Sequence, residues 1–155
     1  MHTAEQTRRE FLGTVAAAGA VSMATSRGLD AATERRSLGA NDRIRIGIIG
    51  CGSRGIGTEM ESVATHAKAE NLEVVAVYDP WTKAGEEAAG KAKERFGVSA
   101  RQCRTYQELL DLKDLDAVFI SSPDHWHAAQ LEAAARAGKH VYVEKPMATD
   151  IDGLN

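Results

Sequence analysis

Several short stretches of the sequence carry groups whose types and spacing suit chemistry. Gly50-Cys51-Gly52-Ser53-Arg54-Gly55 has the G-x-G-x-x-G spacing. Between a strand and a helix that spacing serves an anion. Gly50 permits a tight turn, Gly52 lets the backbone approach a pyrophosphate with no Cβ in the way, and Gly55 lets helix and strand pack closely. The anion would rest on the N–H groups of the helix start, beside Ser53 and Arg54. Asp79 follows Gly55 by 24 residues. A carboxylate there can accept hydrogen bonds from both hydroxyls of an adenosine ribose and would repel a 2′-phosphate, so the pair of motifs favours NAD over NADP. Lys83 lies nearby and softens that preference. Each motif has a plainer alternative: the glycines could form an ordinary βα turn, and Asp79-Pro80 is a common turn pair.

Two further segments are rich in polar groups. Ser121-Ser122-Pro123-Asp124-His125-Trp126-His127 follows an apolar run, and Pro123 and Asp124 suit a helix start with Ser122 or Asp124 as its cap. His125 and His127, two apart, point to different sides of a helix, so a metal pair is not expected. Exposed imidazoles on a capping segment are the plain alternative. Glu144-Lys145-Pro146 follows another apolar run. A lysine just past a strand end can reach the ring edge of a nicotinamide, hydrogen-bond a substrate hydroxyl and ease its deprotonation. The plain alternative is a surface lysine beside a turn proline. Cys51 and Cys103 are too few for a disulfide scaffold or a four-cysteine zinc site.

The elements that must position these residues alternate. Strands are predicted over residues 44–49, 72–78, 116–120 and 140–143, with a weak one near Cys103–Thr105. Helices are predicted over 55–68, 81–96 (closed by Gly97), 106–110 and 124–137 (ended by Gly138). Strand–helix alternation with short connections implies an α/β fold, a doubly wound parallel sheet covered on both faces. In the order 3-2-1-4-5 the glycine loop and residues 121–127 share the carboxyl edge where strand order reverses, the place where such sheets bind ligands. Cys51 and Cys103 would lie two strands apart, too far for a disulfide.

The chain has 155 residues, 43% hydrophobic and 26% charged, the balance of one globular domain. A net charge of −3 argues against a general nucleic-acid partner. Aromatics are only 5%, so the core is expected to be aliphatic. No apolar run reaches the roughly 18 residues of a membrane span. The first residues differ from the rest. Arg8-Arg9-Glu10-Phe11-Leu12, an Ala-rich stretch over residues 14–24 and small residues at Ser22 and Ala24 have the layout of a bacterial twin-arginine export signal. An ordinary Ala-rich helix is the alternative. Residues 1–24 are thus expected to be the signal, 25–42 a linker and 43–155 the folded domain, with a periplasmic or otherwise extracytoplasmic destination reached through the export machinery.

In this order, the glycine loop, Asp79, the Ser-Ser-Pro-Asp-His-Trp-His run and Glu144-Lys145-Pro146 resemble the N-terminal nucleotide-binding domain of the Gfo/Idh/MocA oxidoreductases. That family includes inositol dehydrogenases and glucose–fructose oxidoreductase. The resemblance covers about residues 43–155, and Glu-Lys-Pro after the fifth strand is its most specific element. It implies a Rossmann fold in which Gly50, Gly52, Ser53, Arg54 and Gly55 hold the pyrophosphate of NAD, less readily NADP. Asp79 would hold the ribose, and Ser121, Ser122, Pro123 and His127 would line the nicotinamide side. Glu144 would bound the cofactor, and Lys145 would be the catalytic or substrate-orienting lysine. Pro146 would follow a cis peptide bond. Family members continue into a C-terminal α/β domain that supplies other substrate residues and usually the oligomer interface. The chain ends at Asn155, before a sixth strand. The resemblance therefore implies a truncated protein, inactive alone and oligomeric only with that domain. The implied function is an NAD(P)-dependent oxidoreductase of a sugar or polyol hydroxyl with tightly held cofactor. The alternatives are a redox-neutral, NAD-dependent glycosidase and a non-catalytic nucleotide-binding fragment.

Overall fold

The computed structural model describes Gly39 and residues 42–149. The proposed signal and nearly all of the proposed linker lie outside the described residues. Five parallel strands, β1 (Ile44–Ile49), β2 (Leu72–Tyr78), β3 (Arg101–Cys103), β4 (Ala117–Ile120) and β5 (His140–Val143), form one sheet in the order β3-β2-β1-β4-β5. The expected fold class and strand order are therefore those of the structure. Helix α1 opens as a π-helical segment (Gly55–Met60) and continues as α-helix (Glu61–His66). It is followed in chain order by α2 (Thr82–Phe96), α3 (Tyr106–Leu110) and α4 (His127–Arg136), the last preceded by a 3-10 turn (Asp124–Trp126).

The near-continuous Ile and Val runs of β1 and β2 are what a strand buried on both faces requires. One core lies on the α1/α2 face: Ile46, Ile48 and Val74 meet Ile56, Met60 and Val63 of α1 and the Ala84, Ala88, Ala92 stripe of α2. Alanines one helical turn apart let α2 lie close on the sheet. The other core lies on the α3/α4 face, where Ile49, Ala76, Val118 and Ile120 meet Leu109, Leu110 and Ala134.

Register decides which residues reach the rim. Ile49 pairs with Tyr78 on one side and Ile120 on the other, and Ile120 pairs with Val143. Three backbone hydrogen bonds carry the ladders one residue further: Gly50 N–H to Tyr78 O (2.8 Å), Ser121 N–H to Ile49 O (2.8 Å) and Glu144 N–H to Ile120 O (2.9 Å). Gly50, Asp79, Ser121 and Glu144 thus follow strand ends that are level with one another.

Three local expectations need correction. The third strand is Arg101–Cys103, not Cys103–Thr105. Thr105 is taken by the next helix, where its Oγ1 accepts the Glu108 N–H (3.0 Å) in a Thr-x-x-Glu start. Residues 124–137 are not one helix, and neither Ser122 nor Asp124 caps it; Pro123 occupies the N-cap of the 3-10 turn, and Ser122 Oγ bonds Gln130 Oε1 instead (2.6 Å). The helix after the glycine loop ends at His66 and begins with the wide π-helical turns.

Leu109 is fully buried under β1 in the α3/α4 core. Leu109→Ala is expected to lower stability by about 2–5 kcal/mol, the range for an aliphatic truncation in a packed core. Urea unfolding should show a lower midpoint with an unchanged slope.

Candidate functional site

A cleft of about 490 Å³ opens at the carboxyl edge of the sheet, over the gap between β1 and β4. Gly50, Gly52, Ser53 and Arg54 form one wall, Asp79 and Pro80 another, and Ser121, Ser122 and Pro123 a third. Eight of the candidate cofactor residues, all of these but Pro80, therefore share one cavity. Gly55, His127, Glu144 and Lys145 are not among its lining residues.

The glycine loop is fixed by steric limits. Gly50 has φ +90°, and a Cβ there would lie 2.5 Å from the Ser122 nitrogen. A Cβ on Gly55 would lie 1.9 Å from the Gly50 carbonyl oxygen, so helix α1 can start only this close to β1 without a side chain. Gly52 is different: a Cβ there meets nothing within 4 Å, and the position faces the cleft. The fold demands glycine at positions 50 and 55, whereas glycine at 52 leaves room only for something in the cleft.

Asp79 organises the loop as well as facing the cleft. Its Oδ2 accepts the Cys51 N–H and its Oδ1 accepts the Trp81 N–H, both at 2.8 Å. The second contact is the Asx turn expected of Asp-Pro. Each carboxylate oxygen retains a lone pair, so the turn role and a ligand role coexist. Cys51 donates its thiol toward Tyr78 O (3.4 Å). Burial, with the Asp79 charge second, pushes that thiol up to about 12. It stays protonated at neutral pH and is no nucleophile. Both cysteines are free and buried.

His127 does not present an exposed imidazole. It is 1% exposed, with Nδ1 2.7 Å from Pro146 O and Nε2 2.8 Å from Ser122 O. It braces the loop after β4 against the loop after β5. The Lys145–Pro146 peptide is cis, and Lys145 itself is exposed. Glu144 is 8% exposed and receives Arg54 Nη2 at 2.9 Å and the Tyr142 hydroxyl at 3.1 Å. The Arg54 hydrogen bond holds the Glu144 carboxyl well below the usual range.

Sequence reasoning missed the aromatic side of the cleft. Tyr78, Tyr106 and Trp126 line it, with ring centroids 6.2 Å apart for Tyr78–Tyr106 and 6.4 Å for Tyr106–Trp126. Tyr78 ends β2 immediately before Asp79, a usable signal. Gln130 also lines the cleft and is buried, three residues beyond His127 on the same helix. Glu59, a buried acid among the apolar residues of α1, was also overlooked.

Two observations fit these residues to a dinucleotide. Gly52 leaves open space beside the start of α1, where first-turn N–H groups have no partner within the helix. Ser121 Oγ, in the cleft wall, is buried with no hydrogen-bond partner among the described residues. A parallel sheet whose switch-point crevice carries this loop and a β2-end acid is a Rossmann-type nucleotide fold. Residues 44–155 match the Gfo/Idh/MocA family, described as an oxidoreductase family with an NAD-binding Rossmann fold, and the chain belongs to that family. A glycosyl hydrolase family 109 protein of Solibacter usitatus is 32% identical over 152 residues, 94% of this chain and 34% of that protein. The chain is 31% identical to myo-inositol dehydrogenase of Lactobacillus casei, solved with NAD(H) and myo-inositol (TM-score 0.59, covering 72% of this chain and 31% of that one). It is 33% identical to KijD10, a 3-ketoreductase of Actinomadura kijaniata solved with TDP-benzene and NADP (TM-score 0.57, covering 72% and 33%). The chain spans about a quarter to a third of the length of the curated relatives it matches.

Gly55→Ala should therefore destabilise by about 1–3 kcal/mol or more, as overpacking against backbone does. Gly57→Ala, one half-turn on and exposed, meets open space and should be neutral or stabilising by up to about 1 kcal/mol. Thermal melts of the two variants check the contrast.

Proposed function

We propose that this chain is the nucleotide-binding part of an NAD-dependent oxidoreductase that acts on a sugar or polyol hydroxyl. The observation that carries this reading is the common rim on which Gly52, Asp79 and Ser121 line one cleft, with the buried Ser121 hydroxyl left without a partner among the described residues. Gly50, Gly52, Ser53 and Gly55 would present backbone to a pyrophosphate, with Arg54 at its edge. Asp79 would take the ribose hydroxyls, while Ser121, Ser122 and Pro123 would bound the nicotinamide side. A bound nicotinamide supplies hydride acceptance or donation at a carbon. His127 acts by fixing the backbone of Ser122 and Pro146. Glu144 closes that side through Arg54. Lys145, next in the chain and exposed, would donate a hydrogen bond to the substrate hydroxyl and offset the charge that develops on its oxygen as its proton leaves.

Asp79 supports NAD over NADP, because a 2′-phosphate would bring a dianion against a carboxylate. A second reading is favoured by the family 109 glycosyl hydrolase relatives: oxidation followed by re-reduction of the same sugar, with cleavage between. The second reading returns the hydride to the same sugar, and the first keeps the cofactor in place where the carbonyl of a second sugar takes the hydride back. That suits an exported enzyme, and residues 1–24 are proposed as the twin-arginine signal that would take it to the periplasm.

The tests are direct. Gly52→Ala should leave the melting temperature nearly unchanged while NADH binding is lost, since the new Cβ projects only into the cleft. Unchanged NADH affinity would reduce the loop to an ordinary turn. Asp79→Ala should weaken NAD by about 1–3 kcal/mol, the range for hydrogen bonds to a charged group. Calorimetry that finds NADP bound more tightly than NAD by the parent chain overturns the cofactor choice. For export, a reporter fused to residues 1–40 should reach the periplasm and should stay inside the cell when Arg8 and Arg9 are both changed to lysine. Equal export of the two fusions would remove the signal reading.

A further inference from the structure

Glu59 is a buried carboxyl on α1, 6% exposed, four residues past Gly55. Its side chain meets Arg54 (Nε–Oε1 3.6 Å), the same guanidinium whose Nη2 pairs with the buried Glu144 at 2.9 Å, and this brings the two carboxyls within hydrogen-bond reach of each other. Glu144 accepts from Arg54 Nη2 and from the Tyr142 hydroxyl as well. Ionised carboxylates only accept hydrogen bonds. Two of them cannot bond each other unless one brings a proton, and the two donors within hydrogen-bond distance, Arg54 Nη2 and the Tyr142 hydroxyl, both serve Glu144, while Arg54 Nε stands off from Glu59 at 3.6 Å. The proton therefore belongs on Glu59. Burial raises the Glu59 carboxyl and the Arg54 hydrogen bond lowers Glu144, the same division. One proton leaves the cluster with one positive and one negative charge. Ionising both acids would leave a net negative charge buried against a single guanidinium, which is costly.

We propose that Glu59 is a positioning residue: as a neutral acid it donates to Glu144, locks Arg54 and Glu144 together, and so ties the glycine-loop helix to the segment that carries Lys145. Arg54 and Glu144 are 90 residues apart in sequence, and Arg54 stands half-exposed at the cleft wall. Without a third member, its guanidinium and the Glu144 carboxylate could pair in several geometries. Glu59 restricts them to one. The groups facing Glu59 are Arg54 from the start of its own helix, Tyr142 from β5 and Glu144 just beyond it. Glu61, two residues on, is engaged by Arg95 of α2 at 2.9 Å. The part that concerns cofactor binding rests on the function proposed above; the shared proton does not.

The conservative variant separates the roles. An amide donates as a neutral acid does, so Glu59→Gln keeps the bond to Glu144, whereas Glu59→Ala removes it. Infrared spectra of the full chain near neutral pH should show a protonated carboxyl band that disappears in Glu59→Gln. Absence of the band, or its persistence in that variant, overturns the shared proton. In fluorescence titration, Glu59→Gln should bind NADH within about twofold of the parent and Glu59→Ala about tenfold more weakly, the loss of one hydrogen bond to a charged group. Glutamine as damaging as alanine overturns the positioning role. The pH profile decides even if Glu59→Ala fails to fold. The group's folded value is raised, so its contribution to stability falls as pH climbs from the ordinary carboxylate value through the folded one. NADH affinity of the parent should fall over the same climb, and Glu59→Gln should not share that fall; parallel profiles count against the proposal. A parent chain that binds no NADH at any pH sinks the nucleotide reading, and the infrared band then decides the proton alone.

Discussion

Strand β1 lies between two parallel neighbours from which the chain departs in opposite directions, and the whole site depends on that. Its hydrogen bonds to β2 and β4 set Tyr78 and Ile120 level with Ile49. The crossover after β1 goes to one face and the return to β4 comes from the other, so no helix fills the gap above the junction. A crevice is left by topology, before any side chain is chosen. What the sequence adds is restraint. Gly50 and Gly55 let loop and helix close on the strand, and the residues that follow the strand ends are short or polar rather than large and apolar.

Two acids that follow strand ends, Asp79 in the cleft wall and Glu144 behind it, are each bound by at least two donors of the protein. Asp79 holds Cys51 N–H and Trp81 N–H, and Glu144 holds Arg54 and Tyr142. A carboxylate fixed by two donors loses little further freedom when a ligand arrives, so its next hydrogen bond comes at low entropic cost. The same bonds explain why an acidic domain can host an anion at all. The charge of each acid is already directed at local donors, and in the function proposed above the glycine loop would meet the ligand with backbone N–H groups.

The bounds of β1, β2 and β5 were legible because apolar runs flanked by glycine or charge mark a buried parallel strand sharply. So was the glycine loop, since spacing between a strand and a helix is a local property. β3 was displaced by two residues because Thr105 suits a strand by its branching and a helix cap by its hydroxyl, and only Glu108 three residues later decides between them. His127 could not be placed from spacing. Its environment is made by the Pro146 carbonyl, 19 residues away and on another loop. Glu59 was hidden for the same reason: on a helix face with Ile56, Met60 and Val63 it looks like a charge out of pattern, and its partner lies 85 residues further along the chain. The aromatic wall of Tyr78, Tyr106 and Trp126 comes from three separate elements, which no single window of sequence contains.

These long-range bonds also bear on how the rim behaves. Loops at the end of a sheet are ordinarily its least stable part. Here the four loops are joined to one another: Asp79 to the glycine loop across 28 residues, Arg54 to Glu144 across 90, and the loops after β4 and β5 through His127, whose ring lies between Ser122 O and Pro146 O. Each bond closes a circuit that runs back through the sheet, so opening any one loop costs the contacts of the next. Small residues alone would leave a crevice of indefinite shape. With the bridges in place, the relative positions of Gly52, Asp79, Ser121 and Lys145 are properties of the sheet rather than of four independent turns. That is the condition under which reacting groups can be held to the fraction of an ångström that catalysis by positioning needs.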